Sequence, residues 1–93
     1  MQPFAYRDGL LHADDIALTD LAATFGTPLY VYNRSYLVHQ FTRLQKAMAP
    51  VDPLICFAVK SNSNAAVIQT FAQMGAGADV VSGGELMRAL EAG

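Results

Sequence analysis

The chain has one cysteine, Cys56, which excludes an internal disulfide and fits a reducing compartment. Surrounded by apolar residues, it is predicted to pack in a core. Two histidines, His12 and His39, stand in unrelated contexts, and no Cys/His spacing suited to zinc occurs. Positive charge is equally scarce. Six Lys and Arg, scattered rather than clustered, face eight Asp and Glu for a formal net charge of −2, which leaves no basic face for nucleic acid or anionic lipid. No apolar run approaches the length that spans a bilayer, and Met1-Gln2-Pro3-Phe4-Ala5-Tyr6-Arg7-Asp8 lacks the charged start and apolar middle of a signal peptide. These absences predict a cytoplasmic protein with no metal site, no nucleic-acid partner and no membrane span.

What the chain does have is apolar surface to bury: 53% of its residues are hydrophobic and 15% charged. At the N-terminus, short apolar stretches flank Arg7-Asp8-Gly9, and Asp-Gly between such stretches signals a hairpin over residues 4–11. Thr19 is predicted to cap a short helix through Leu21, Ala22 and Phe25 that stops at Gly26. Asp14 and Asp15, in a polar stretch, are read as solvated rather than as a catalytic pair.

After Pro28 the pattern alternates. A strand over Leu29–Tyr32 leads to a helix capped by Asn33, with apolar residues at Leu37, Phe41, Leu44 and Met48, ended by Pro50 and Pro53. A second strand, 54–60, leads to a helix from about Asn64 with Val67, Ile68, Phe71, Ala72 and Met74 on its buried side, stopping at Gly75. A third, Ala78–Val81, leads to a helix opened by Ser82 and Glu85 in the spacing of a capping box. Three βα units in succession predict a parallel sheet wrapped by helices, as a barrel or an open sheet. Periodicity does not choose between them. The 93 residues fall well short of the roughly 250 of a complete βα barrel, so the chain reads as a piece of one if the barrel is right.

Lys60 closes the apolar run Leu54-Ile55-Cys56-Phe57-Ala58-Val59 and precedes the polar turn Ser61-Asn62-Ser63-Asn64. A lysine ending a strand just before a helix sits where βα barrels place catalytic groups, and partial desolvation there makes an amine nucleophilic toward carbonyl cofactors. The alternative is a strand-end lysine reaching into water along its own stem. Strand alternation puts Cys56, Ala58 and Lys60 on one face and Ile55, Phe57 and Val59 on the other. A small residue at Ala58 leaves room for a planar ring beside the lysine, and equally serves ordinary barrel filling. Asp79, one helix later on the neighbouring strand, is a carboxylate within apolar sequence; burying it requires a cation or donors, and Lys60 is the candidate cation. Backbone amides alone are the competing partner for it. Ser82, Gly83, Gly84 and Glu85 are better explained by capping than as a phosphate cradle. Gly75-Ala76-Gly77 is read as a helix stop, and Asn62 and Asn64 as turn and cap residues.

Three stretches, in order, carry a resemblance: Phe25-Gly26-Thr27-Pro28-Leu29-Tyr30-Val31-Tyr32, Phe57-Ala58-Val59-Lys60-Ser61-Asn62-Ser63-Asn64 and Gly77-Ala78-Asp79-Val80-Val81-Ser82-Gly83-Gly84-Glu85-Leu86. The chain resembles, from about Phe4 to Gly93, the pyridoxal-phosphate decarboxylases of fold type III, whose members act on diaminopimelate, ornithine and arginine. It is most similar to the diaminopimelate branch. Ser61 departs from the commoner alanine. The resemblance implies an α/β fold, the first part of a pyridoxal-phosphate-binding (β/α)8 TIM barrel over residues 27–93. It also implies that residues 1–26 form a hairpin and short helix, the hairpin belonging to a C-terminal β domain outside this chain. It implies that Lys60 holds pyridoxal 5'-phosphate covalently, with Ala58 and Asp79 beside it. The expected substrate is meso-diaminopimelate, giving lysine and carbon dioxide, and the full-length enzyme is expected to be a homodimer. Decarboxylases of ornithine, arginine or carboxynorspermidine on the same fold, or a non-catalytic regulatory relative, are the alternatives.

Overall fold

The computed structural model describes all 93 residues, which divide into two compact units, Met1–Tyr36 and Leu37–Gly93. No helix is long and apolar enough to cross a membrane.

The first unit is an antiparallel meander and a helix. Strands β1 (Phe4–Arg7), β2 (Leu10–Ala13) and β3 (Ile16–Ala17) pair in that order. Asp8 and Gly9 link β1 to β2 with φ of 51° and 80°, the paired left-handed residues that a two-residue hairpin needs, in register Arg7↔Leu10. A second two-residue turn, Asp14-Asp15, was not anticipated; it joins β2 to β3 in register Ala13↔Ile16. Helix α1 (Leu18–Phe25) follows β3 directly and ends at Gly26. Its N-cap is Ala17, with no side-chain bond, and Thr19 lies inside the helix; the predicted Thr19 cap fails because the chain turns helical straight out of the strand. The Thr27–Pro28 peptide is cis.

Residues 29–32 form no strand, contrary to expectation. Apolar sequence supplies side chains for a sheet, but a strand exists only where a neighbour completes its hydrogen-bond ladder. Asn33 then caps helix α2 (Arg34–Met48), its Oδ1 accepting from Tyr36 N at 3.0 Å. Asn33 is 8% exposed and fully engaged: its Nδ2 donates to the Pro3 carbonyl at 2.6 Å and to Asp14 Oδ1 at 3.4 Å. Asp14 Oδ2 also accepts from Ser35 Oγ at 2.9 Å, and Asp15 pairs with Arg7 at 3.1 Å. Both aspartates are exposed, as expected of solvated charges, and each also accepts hydrogen bonds within the first unit.

The second unit holds two βα units. Strands β4 (Cys56–Ala58) and β5 (Gly77–Asp79) pair in parallel, and helices α3 (Ala65–Gln73) and α4 (Gly83–Ala92) follow them. Both strands are shorter than expected. Val59, Ile68 and Ala92 form the core, with Phe57 and Val80 packed against it. Phe71 stacks obliquely on Phe57 at 4.8 Å and on Phe41 at 5.8 Å between ring centroids, so the α2 stripe contributes Phe41 as its one buried residue while Leu44 and Met48 stay exposed. The anticipated caps form. Asn64 Oδ1 accepts from Ala66 N at 2.9 Å, and Ser82 Oγ from Glu85 N at 3.1 Å. Glu85 reaches one residue further back than a standard capping box, accepting from Val81 N at 3.1 Å.

Candidate functional site

The parallel register Cys56↔Gly77, Phe57↔Ala78, Ala58↔Asp79 sets the site out in layers. Paired residues on parallel strands share a face, so Ala58 and Asp79 stand side by side, about 4.8 Å apart in backbone spacing. Cys56 and Gly77 form the next layer on that face. A Cβ at Gly77 would stand 2.8 Å from Cys56 Sγ, so any larger residue there would force the cysteine side chain to shift: the sulfur occupies the space a side chain would take. Cys56 is exposed rather than a core residue, because it lies on this face of the strand pair and not on the face that packs against Ile68 and Ala92.

Lys60 does not end the strand. After Ala58 the chain enters a single 3-10 turn, Val59–Ser61, and the strand alternation that would align Lys60 with Ala58 and Cys56 stops. Val59 is 0% exposed, clustered with Ile68 and Ala92, whereas Lys60 occupies an exposed position. The turn is therefore fixed by its first residue and presents its second. The partial desolvation expected for Lys60 is not provided by these 93 residues. Asp79 is likewise exposed, so the expected cost of burying its charge does not arise, and no ion pair or hydrogen bond joins it to Lys60. What the structure does bring together is Asp79 with Ala58, two residues before Lys60.

The polar run after Lys60 is bonded at each step. Ser61 Oγ donates to the Ala58 carbonyl at 2.7 Å, Asn62 N donates to the Val59 carbonyl at 3.1 Å, and Asn62 Oδ1 accepts from Asn64 N at 2.9 Å. Sequence reading identified Asn62 and Asn64 but assigned no role to Ser61 or to Val59. For Ser61 the signal was present, since serine readily bonds a carbonyl three residues back. For Val59 it was hidden, because a continuous apolar run does not mark where a strand becomes a turn.

Donor chemistry suits a carbonyl cofactor: an accessible primary amine, a small neighbour at Ala58, and a carboxylate in register with that neighbour. Residues 34–93 match the pyridoxal-dependent decarboxylase, pyridoxal binding domain family, and the chain belongs to that family. Its relatives are more particular. It is 48% identical over 93 residues to the diaminopimelate decarboxylase of Pseudomonas aeruginosa and 49% identical over 88 residues to that of Aquifex aeolicus, covering 100% and 95% of this chain. Among solved structures, one from Aquifex aeolicus superposes with a TM-score of 0.91 at 47% identity, over 98% of this chain and 22% of that one. Diaminopimelate decarboxylase from M. jannaschii, in co-complex with L-lysine, also gives 0.91, at 33% identity over 98% of this chain and 22% of its own. The chain spans 22% of the length of the Pseudomonas relative and 20% of the Aquifex one. Its mixed α/β fold is that of the N-terminal part of a (β/α)8 barrel, and the family's cofactor is pyridoxal phosphate.

Proposed function

We propose that this chain is the N-terminal, lysine-bearing part of a decarboxylase that converts meso-diaminopimelate to L-lysine and carbon dioxide, the last step of lysine biosynthesis. One observation carries the reading: an exposed lysine in the turn directly after β4, beside a strand pair whose register sets Asp79 against Ala58, in a chain 48% identical along its length to a diaminopimelate decarboxylase. When bound, pyridoxal phosphate supplies an electron sink for the pair left at the amino acid's Cα as its bond to the carboxylate breaks. Lys60 supplies the nitrogen that holds the cofactor, and its exposure keeps that nitrogen reachable. Ala58 leaves space for a planar ring. Asp79 places negative charge on the same face, where it favours a cationic nitrogen.

The rest of the proposal concerns the full-length protein. Residues 27–93 begin the barrel domain, and residues 1–26 belong to a separate β element. Groups that hold the phosphate and select the distal end of the substrate lie outside these 93 residues. The enzyme works as a cytoplasmic homodimer on a small amino acid, not on nucleic acid or at a membrane.

The test uses the full-length protein. Lys60→Ala is expected to abolish borohydride-reducible cofactor and carbon dioxide release from meso-diaminopimelate together. Asp79→Asn is expected to retain the melting temperature while lowering turnover or cofactor affinity by about tenfold, the effect of losing one charge-assisted interaction. Cofactor attached to a different lysine would overturn the site, and faster release from ornithine or arginine would overturn the substrate.

A further inference from the structure

We infer that Ser61 is a positioning residue for Lys60, a role that rests on the reading of Lys60 as the cofactor-bearing lysine. The turn that carries Lys60 is one residue deep on either side. It runs from Val59 to Ser61, and both flanks are extended: Ala58 has φ −76° and ψ 102°, Asn62 φ −165° and ψ 111°. No helix continues it in either direction, and its N-cap, Ala58, offers no side-chain bond. Isolated 3-10 turns have poor hydrogen-bond geometry and little cooperativity to hold them.

Ser61 adds a directional constraint. Its hydroxyl donates to the Ala58 carbonyl at 2.7 Å, so the bond begins on one side of Lys60 and ends on the other. The acceptor belongs to the residue in register with Asp79, which ties the turn of Lys60 to the strand position beside the carboxylate. Val59, fully buried against Ile68 and Ala92, fixes the same turn from beneath. A lysine nitrogen stands at the end of four flexible methylene groups, so what the fold can fix is the base from which it swings. Ser61, by its hydrogen bond, and Val59, by its burial, both fix that base. Holding a nucleophile's base in one orientation raises its productive encounters without altering its chemistry.

Attachment joins the Lys60 nitrogen to the aldehyde carbon of pyridoxal phosphate and releases the aldehyde oxygen as water with the two amine protons. Ser61 gives up no proton in this step. Its contribution is one neutral hydrogen bond, and losing it is expected to slow attachment about fivefold.

The experiment follows the visible absorbance that develops when pyridoxal phosphate is added to cofactor-free full-length protein, for the parent, Ser61→Ala, Ser61→Thr and Lys60→Ala, with melting temperatures measured alongside. The expected result is about fivefold slower attachment in Ser61→Ala, a rate near the parent's in Ser61→Thr, which keeps the hydroxyl, and no band in Lys60→Ala. A parent-like rate in Ser61→Ala, with or without a lower melting temperature, would overturn the positioning role while leaving Lys60 in place. Failure of threonine to restore the rate would overturn it as well. A band persisting in Lys60→Ala would overturn the lysine reading and this inference with it.

Discussion

The two units of the chain solve the same problem with different materials. Met1–Tyr36 buries few residues, Ala17 and Asn33, and is joined by polar links: Asn33 to Pro3, Asp14 and Tyr36, Ser35 to Asp14, Arg7 to Asp15. Leu37–Gly93 buries Phe41, Val59, Val67, Ile68 and Ala92 and confines its side-chain hydrogen bonds chiefly to caps and turns. Apolar burial is non-directional and grows with area, so it suits a unit that must brace a turn from below. Hydrogen bonds are directional and individually modest, so they suit a unit that sets the path of a chain through tight reversals. The candidate site lies in the apolar unit. The backbone of an exposed lysine is anchored there because its neighbour in sequence, Val59, is the most deeply buried residue of the chain.

The largest effect on stability is therefore expected from Val59→Ala. The substitution deletes two methyl groups at 0% exposure and leaves a cavity in the cluster with Ile68 and Ala92, a loss of roughly 2–3 kcal/mol from lost transfer energy and the cavity together. Denaturant unfolding of the full-length protein measures it. A cost under about 1 kcal/mol, less than an ordinary core deletion of this size, would mean that the turn is not braced by this core, and the contrast between the units would collapse.

Features encoded within a few residues were legible in the sequence. Asp8-Gly9 specified its own turn, Asn33, Asn64 and Ser82 their caps, and Gly26 the end of α1, because the donor, acceptor or backbone freedom each needs is local. Features that depend on a distant partner were not. Leu29–Tyr32 has strand composition but no ladder here, and β3, two residues long and reached through Asp14-Asp15, offered no glycine to announce its turn. Around the site, the identity of Lys60 and Asp79 came from sequence, whereas the turn beneath Lys60 did not: Val59 and Lys60 continue the apolar run and the alternation of β4, and only the packing of Val59 on Ile68 and Ala92 shows where the strand stops. Cys56 was misplaced for a related reason. A hydrophobicity scale does not say which face of a strand pair receives the core, and it is the bare backbone of Gly77 that makes room for the sulfur.

In the polar unit, Asn33→Ala is expected to cost about 1–2 kcal/mol: it removes the α2 cap and leaves the Pro3 carbonyl without its side-chain donor. Asn33→Asp sharpens the test, since it keeps the cap acceptor but brings a carboxylate toward Asp14 and cannot donate to Pro3. Amide-exchange protection of Phe4–Ala13 should fall in both variants, and more in Asp than in Ala if the links to Pro3 and Asp14 outweigh the cap. Equal protection in the parent and both variants would show that the meander is held by its own ladders and that the polar links are incidental.

The smallest effect is expected from Arg7→Ala. Its ion pair with Asp15 is well formed at 3.1 Å, yet the side chains are 54% and 92% exposed. Water and salt screen such a pair, and holding two long side chains in one geometry costs entropy, so the expected loss is about 0.3 kcal/mol and should vanish at high ionic strength. The pair spans β1 and the turn before β3, so a larger role would appear as lost amide protection in β3, Ile16–Ala17. Urea titrations of the parent and Arg7→Ala at low and high salt separate the cases. A loss above about 1 kcal/mol that survives salt, beyond what exposed pairs contribute, would mean the arginine acts through its aliphatic stem packed on the meander. The N-terminal unit would then owe more to apolar contact, and differ less from its neighbour, than its hydrogen bonds suggest.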